Sequence, residues 1–167
     1  MLSSSRWLAS LALVLTLGSL PAFAEDEHIR PDPSLTPGQS FPGVTAAQIC
    51  EPGYSSSVRH VTAAVRRQAF ANYGLSGNHT GYCSAEQGCE LDHLVSLELG
   101  GSNDVSNLWP EPYDGPWNAH IKDKLENRLH KLVCDGSISL PEAQRLEATD
   151  WIAAYKRFVG GDPLAMR

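Results

Sequence analysis

Apolar side chains recur at helical spacing in three stretches of the chain, and residues that start or stop helices bound each stretch. The predicted helices cover residues 62–73, 118–133 and 139–159. Their apolar stripes are Val61, Val65, Ala69 and Phe70; Ile121, Leu125, Leu129 and Leu132; and Leu146, Ile152, Tyr155 and Val159. Ser139 followed by Glu142 has the pattern of a capping box, which defines the start of the last helix.

Shorter elements are predicted between these helices. A strand begins near Glu90, and a second extended segment follows the Gly100-Gly101 turn at residues 105–109. Three prolines then predict irregular structure up to Trp117. The remaining segments are a strand or turn at 45–50, a polar loop at 55–60 and a glycine-rich loop at 76–88. The fold class that this order predicts is α+β.

The first residues of the chain have a different pattern. Arg6, an apolar stretch and a small-x-small site at Ala22-Phe23-Ala24 predict a secretory signal peptide over residues 1–24. An uncleaved anchor helix is the alternative, but the apolar stretch is short for a membrane span. Residues 25–44 carry four prolines and no apolar period, which predicts an extended tether. One domain is then expected over residues 45–160, followed by a tail at 161–167.

Charge limits the classes of function. Removal of residues 1–24 takes away Arg6 and no acidic residue, so the formal net charge of −6 becomes −7. A protein that coats DNA electrostatically usually has a basic surface overall, so this balance argues against such a protein. An enzyme with a local basic groove is still compatible with it.

All four cysteines lie after the predicted cleavage site. An even number in an exported chain predicts two disulfides, and three pairings are possible. We favour Cys83–Cys89, which closes a short loop, and Cys50–Cys134, which ties the start of the domain to the end of the central helix. On the chain-entropy model they contribute about 2 and about 4–5 kcal/mol. A zinc site is the alternative, but no C-x-x-C pair is present.

Asp92 and His93 are the adjacent pair with the strongest candidate chemistry. Hydrolysis of a phosphodiester needs a base that activates water and a cation that stabilises charge on the leaving oxygen. A neutral imidazole suits the first role and a carboxylate that holds a cation suits the second. Adjacent strand residues face opposite ways, so both can serve one site only if the strand ends or bends there. A structural hydrogen-bonded pair is the alternative.

The residues after this pair form a larger arrangement. The turn Gly100-Gly101-Ser102-Asn103-Asp104 follows, and Asn107 lies 14 residues after His93. Here the chain resembles the HNH nuclease family, whose motif is a strand, a loop, a second strand and a helix around one metal ion. Segments 49–54, 107–110, 122–127 and 133–136 are similar to those of secreted or phage-like bacterial members. Ser96, where many members have proline, and the missing C-x-x-C pairs are departures from the family pattern.

The resemblance implies an HNH-like ββα metal motif flanked by helices and held by disulfides. It makes His93 the general base, Asp92 a metal ligand and Asn107 a brace that orients the loop and the histidine. His120 is the expected second ligand, with Asn118 as the alternative. The expected cofactor is one divalent ion, Mg²⁺ first, with Mn²⁺ or Zn²⁺ as alternatives.

The function expected from the resemblance is an exported, periplasmic or secreted endonuclease that cleaves DNA, or RNA, with little sequence specificity. We expect a monomer with no membrane attachment after signal cleavage. Basic residues that would contact substrate phosphates are Arg59, Arg66, Arg67 and Lys122. For the two arginines of the first helix and for the lysine, a solvated helix face is the alternative. The rival functions are a non-catalytic envelope module that keeps the motif as a scaffold and a protein-interaction domain without metal.

Overall fold

The computed structural model describes residues 28–75, 83 and 88–161. The predicted signal peptide and residues 162–167 of the predicted tail lie outside these ranges. The elements in chain order are α1 (Ala46–Ile49), α2 (Tyr54–Val58), α3 (Ala63–Asn72), β1 (Cys89–His93), β2 (Leu108–Pro112), α4 (Ala119–Cys134) and α5 (Leu140–Phe158). Single 3₁₀ turns at Leu97–Leu99 and Val105–Asn107 lie between the strands. The predicted α+β class is confirmed at this level.

The three long helices begin where the sequence predicts. The side chains of Thr62, Asn118 and Ser139 accept hydrogen bonds from the backbone N–H groups three residues later, at 3.2, 3.2 and 3.3 Å. Such caps satisfy donors that a helix start leaves without partners. The starts of these helices are therefore set by local sequence.

The two strands pair antiparallel, with Asp92 opposite Trp109 and His93 opposite Leu108. The second strand is longer at its far end than predicted, because it continues through Pro110 and Pro112. In a two-stranded sheet every strand is an edge, and an edge tolerates proline where no ladder bond is donated. The expectation of irregular structure from residue 110 is therefore wrong for residues 110–112.

Two short helices replace the strand or turn and the polar loop predicted before α3. Thr45 and Gln48 form a reciprocal capping box that starts α1. Gly53, with φ of 84°, turns the chain into α2. A left-handed backbone of this kind favours glycine. Both helices are single turns, which hydrophobic periodicity cannot detect.

The main core lies between α4 and α5. Leu125, Leu129 and Ala143 are fully buried there, and Trp151 is 1 % exposed. A smaller cluster of Phe70, Leu75 and Cys83 packs beneath the strand pair, with Leu91 against it. Among the described residues, β1 packs into this smaller cluster through Cys89 and Leu91, and the main core contains no residue of either strand.

Residues 28–44 are not the extended tether that their prolines predict. Ile29 and Thr36 are buried, and the Ile29 carbonyl accepts a hydrogen bond from Trp151 Nε1 at 3.1 Å. Thr36 Oγ1 donates to the Leu108 carbonyl at 3.1 Å, and Ser40 forms a bridge with Gly101. The prolines correctly predicted a segment without regular secondary structure. Long-range contacts nevertheless pack this segment against the domain.

Two disulfides tie the fold together. They join Cys50 to Cys134 and Cys83 to Cys89, which is the pairing favoured from the sequence. Such bonds are typical of proteins from oxidising compartments. No helix within the described ranges has the length and apolar character that crossing a membrane requires.

A shortened chain tests the corrected role of residues 28–44. A chain that starts at Thr45 should lose more than about 3 kcal/mol of unfolding free energy relative to one that starts at His28, because buried acceptors and apolar surface become uncovered. Urea unfolding followed by tryptophan fluorescence measures the difference. Equal stability of the two chains would instead support an extended tether that does not pack on the domain.

Candidate functional site

The ring of His93 is held in one orientation at the end of β1. Its side chain is almost fully buried, and Nε2 lies 3.0 Å from Oδ1 of Asn103. The amide of Asn103 is oriented in turn, because its Nδ2 donates to the Val58 carbonyl at 2.7 Å. The amide oxygen therefore faces the ring, so Nε2 carries the proton and donates. The lone pair of the neutral ring is then on Nδ1.

The surroundings of His93 favour the neutral imidazole. Burial lowers the pKa of this histidine below its usual value, the Asn103 bond and Asp92 oppose the shift, and the positive charges of Arg59 and Lys122 add to it. Nδ1 has no hydrogen-bond partner among the residues that the structure describes. A neutral imidazole with a free lone pair can act as a general base near neutral pH.

Asn107 braces the loop between the strands. Its Oδ1 accepts from the backbone N–H groups of Gln39 and Val95 at 3.0 and 2.9 Å. Its Nδ2 donates to the carbonyls of Val95 and Ser102, both at 3.0 Å. The fully buried amide thus makes four bonds that fix the loop after His93. None of these four bonds is to the His93 ring.

Gly101 lets the loop approach this brace. A Cβ atom at residue 101 would lie 1.7 Å from the Val95 carbonyl oxygen and 2.9 Å from Asn107 Nδ2. The first distance is far inside van der Waals contact, so only glycine fits here. The turn that the sequence singled out is therefore required by close backbone packing.

Asp92 binds a buried ammonium group. Lys122 is fully buried, and its Nζ lies 2.7 Å from Asp92 Oδ2 and 2.8 Å from the His93 carbonyl oxygen. The same Nζ contacts Glu126, one turn later on α4, and lies 4.0 Å from Glu111 Oε2 of β2. One cation therefore connects both strands to the central helix. We call Asp92, Glu111, Lys122 and Glu126 the lysine cluster.

Protonation keeps the charge of the lysine cluster low. Burial raises the pKa of Glu111 and of Glu126 well above the usual range, although Lys122 opposes both shifts. For Asp92, burial alone would raise the pKa, but the charge of Lys122 lowers it. Burial alone would lower the pKa of Lys122, and the surrounding carboxylates raise it instead. The charged pair is thus Lys122 with Asp92, and the two glutamates favour the neutral form.

Glu147 of α5 supports the same region from the other side. It is fully buried, and its carboxylate accepts from the backbone N–H and the hydroxyl of Ser96 at 2.7 and 3.3 Å. Burial raises its pKa to about 7, with Lys122 and the Ser96 bonds opposing. This residue fixes the chain at Ser96, just after His93.

The donors near Asp92 fit an oxygen-preferring cation. The Asp92 side chain is 20 % exposed although one oxygen binds Lys122. Glu90 lies two residues earlier on the same strand, and both burial and the negative charge of Asp92 raise its pKa. A cation near these two carboxylates would relieve their repulsion. Mg²⁺ suits such a site because it usually keeps several waters and takes only one or two carboxylates.

The predicted second ligands, His120 and Asn118, make other contacts in the structure. His120 is exposed and stacks on Tyr113, with ring centroids 5.4 Å apart, and the Tyr113 hydroxyl donates to Glu90 at 3.2 Å. Asn118 caps α4 and donates to the Gly115 carbonyl at 2.9 Å. Within the described ranges, Asp92 belongs to no group of three His, Cys, Asp or Glu with metal-ligand spacing. His120 thus lies against the Tyr113 ring, and Asn118 caps the helix start.

The predicted phosphate-binding residues divide into two groups. Arg59, Arg66 and Arg67 are exposed, and Arg59 is near enough to His93 to lower its pKa. Lys122 is fully buried in the lysine cluster, so the prediction that it binds substrate phosphate is wrong. The burial of Lys122 could not be predicted from its neighbours on the helix, because a lysine on a mixed face usually reaches solvent.

One group in the described residues has metal-ligand spacing, and it lies away from Asp92. It consists of Cys50, His130 and Cys134, with ligand atoms within 4.8 Å of one another. The two cysteines are joined in a disulfide in this structure. The thiolates that a metal would need are therefore absent while that bond is intact.

Several residues that shape the site could not be recognised from the sequence. Asn103 was part of the glycine turn, yet its carbonyl sets the His93 tautomer. Glu111 was placed in a proline-rich irregular segment, and Glu147 was one of many polar residues on a helix. The four-residue spacing of Lys122 and Glu126 was a usable signal, since such pairs contact each other on a helix.

No family model, curated protein or solved structure matches this chain. The resemblance to HNH nucleases therefore stays a prediction from the sequence.

Removal of the buried cation should be strongly destabilising. Lys122→Met leaves the Asp92 carboxylate without its counter-charge, which costs on the order of 3–5 kcal/mol for a buried pair. Lys124→Met, on the exposed side of the same helix, is the matched control and should change stability by less than about 0.5 kcal/mol. Urea unfolding of both variants measures the effect. Similar values for the two would show that the lysine cluster contributes little.

Glu147 should make stability fall as pH rises. Its folded pKa of about 7 lies above the usual value of 4.5, so the folded state holds the proton more tightly and its deprotonation between these values is destabilising. Glu147→Gln should therefore gain stability relative to wild type between pH 5 and pH 8, on the order of 1–3 kcal/mol. Thermal unfolding across this range measures it. A difference that does not change with pH would contradict the assignment.

Proposed function

We propose that this protein is an exported, metal-dependent endonuclease of the HNH type. It hydrolyses phosphodiester bonds of DNA, or of RNA, with little sequence specificity. The observation that carries the proposal is the state of His93: a neutral ring whose Nε2 proton is bonded to Asn103 and whose Nδ1 has no hydrogen-bond partner among the described residues. A structural histidine in a core usually has both nitrogens bonded, so a free lone pair favours a catalytic role.

The chain's own residues perform the proton transfer in this proposal. His93 Nδ1 takes a proton from water as the water oxygen attacks the phosphorus atom, and the bond between phosphorus and the leaving ester oxygen breaks. The bond to Asn103 holds the ring in place and stabilises the imidazolium that forms. The Asn107 brace keeps the following loop fixed, which maintains the orientation of His93 while the charge changes. This is general base catalysis by a positioned imidazole.

Asp92, with Glu90 beside it, would hold the divalent ion. Mg²⁺ is the first choice, because the donors are carboxylate oxygens. When bound, such an ion supplies positive charge that stabilises the phosphorane and the leaving oxygen. His120 is the proposed second ligand, with Asn118 as the alternative. Water and substrate phosphate would complete the coordination.

Binding of the nucleic acid relies on its backbone. Arg59 is the exposed basic residue near His93, and Arg66 and Arg67 add positive charge on α3. Contacts to phosphates position the substrate without reading its sequence. The net charge of −6 is more compatible with phosphate contacts at one local site than with an extended surface that coats DNA. We expect the enzyme to act as a monomer, in the periplasm or after secretion.

A second candidate is a non-catalytic envelope module that keeps this scaffold and binds a metal or a protein. The observation in its favour is the ion pair of Asp92 with Lys122, which already gives the carboxylate a cation. Tight binding of Mg²⁺ or Mn²⁺ without cleavage of either DNA or RNA would support this module. Turnover on either substrate would exclude it.

A nicking assay tests the endonuclease directly. Supercoiled plasmid with Mg²⁺ or Mn²⁺ should be converted to open circles, and EDTA should stop the reaction. His93→Ala should reduce the rate by about 10²–10⁴-fold, which is the usual contribution of a general base. His28→Ala, which removes an exposed imidazole, is the control and should leave the rate unchanged. Equal rates for wild type and His93→Ala would overturn the proposal.

Asn103 offers a finer test of the same site. Asn103→Ala removes the acceptor that fixes the tautomer, so the cleavage rate should fall by at least about tenfold while substrate affinity changes little. The pH at which the rate reaches half its maximum should shift as well, since the Asn103 bond raises the pKa of His93. An unchanged pH profile would exclude this positioning role.

A further inference from the structure

Three potential ligands for a soft metal ion lie together at the far end of α4. His130 Nε2 is 3.5 Å from Cys134 Sγ, and Cys134 is bonded to Cys50 at the end of α1. The three ligand atoms lie within 4.8 Å of one another. Two sulfurs and an imidazole nitrogen are the donors that zinc prefers, and thiolate donors disfavour Mg²⁺. This group is distinct from the carboxylates near His93.

We propose that Cys50, His130 and Cys134 form a zinc-binding site when their disulfide is reduced. The site would hold one Zn²⁺ through two thiolates and one imidazole, with water in the fourth tetrahedral position. In the oxidised protein the sulfurs are bonded to each other, so the site is closed. The same three side chains thus provide two alternative cross-links between α1 and α4.

The scaffold around the site does not depend on the disulfide alone. Ile49, next to Cys50, is 2 % exposed within the main core. Its carbonyl oxygen lies 3.0 Å from His130 Nε2, which ties the end of α1 to α4 a second time. The Cα atoms of the two cysteines are 5.6 Å apart. These contacts keep the sulfurs close to the imidazole after the covalent bond is broken.

The site opens when the Cys50–Cys134 disulfide is reduced, and an added dithiol supplies the electrons. Two electrons and two protons pass from the dithiol to the disulfide, which yields two protein thiols and one oxidised reductant. Binding of Zn²⁺ then releases the two thiol protons, because thiolates are the ligands. Coordination by Nε2 places the ring proton on Nδ1 and exchanges the contact with the Ile49 carbonyl for the metal bond. Cys134 is exposed, so both the reductant and the ion can reach the site.

The second disulfide has a different environment and serves as an internal comparison. Cys83 is fully buried against Phe70 and Leu75, with Tyr73 and Leu91 nearby. In the part of the chain that the structure describes, no imidazole or carboxylate joins this pair in a group with metal-ligand spacing. Among the described residues, reduction of Cys83–Cys89 is therefore expected to expose thiols without creating a three-ligand site.

Cobalt binding to the reduced chain tests the proposal. The chain is reduced with a dithiol without oxygen, freed of reductant, and titrated with Co²⁺, which replaces Zn²⁺ and gives visible absorption in tetrahedral thiolate sites. One equivalent should bind, with sulfur-to-cobalt charge-transfer bands, and Zn²⁺ should displace it. His130→Ala should weaken Co²⁺ binding at least about tenfold, and the double variant Cys50→Ser, Cys134→Ser should lose these bands.

Controls separate this site from the other thiols and from the carboxylates near His93. The double variant Cys83→Ser, Cys89→Ser should bind Co²⁺ as the wild type does. The oxidised wild type should show no charge-transfer bands. The proposal is overturned by the same bands in the oxidised chain, by bands that persist without Cys50 and Cys134, or by equal affinity of His130→Ala. Absence of uptake by reduced wild type also overturns it, whether or not near-ultraviolet circular dichroism shows that the fold survives reduction.

Discussion

The fold depends on one ammonium group in its interior. Lys122 is fully buried and contacts a carboxylate of β1, a carboxylate of its own helix and the carbonyl oxygen of His93. Buried charge is costly unless it is paired and hydrogen-bonded, so these contacts must form together. They determine how the strand pair sits on α4, because both strands bring acidic side chains to the same cation. The neutral forms favoured for Glu111 and Glu126 keep the net charge of this region small.

This arrangement accounts for the difference between Asp92 and His93, which are adjacent but have different surroundings. The carboxylate of Asp92 is turned toward α4 and stays ionised next to Lys122. The ring of His93 is bonded to Asn103 and stays neutral, since burial and the nearby positive charges disfavour its protonation. One short strand thus provides a stable anion and a neutral base, which are the two groups that metal-assisted phosphodiester hydrolysis needs. Asn107 and Gly101 fix the conformation of the loop that follows this strand.

Local signals in the sequence were sufficient to predict part of the fold. The three long helices and their caps could be predicted, because each depends on side chains close in sequence, and the even count of cysteines predicted two disulfides. The packing of residues 28–44 could not, since it rests on single contacts such as Thr36 with the Leu108 carbonyl. Lys122 is predicted to contact substrate phosphate or lie on a solvated face for the same reason, since Asp92, Glu111 and the His93 carbonyl oxygen come from other elements. Asn103 could not be assigned a role, because an asparagine in a glycine turn has an ordinary local explanation.

The central claim is that the fold presents His93 as a neutral base with its proton on Nε2. Two-bond ¹H–¹⁵N correlation spectra of the ring, recorded between pH 5 and pH 8, measure the tautomer and the charge directly. The account predicts the Nε2–H tautomer at neutral pH and protonation only below the usual pKa of 6.5. A ring that carries its proton on Nδ1, or that is already charged at pH 7, would contradict it.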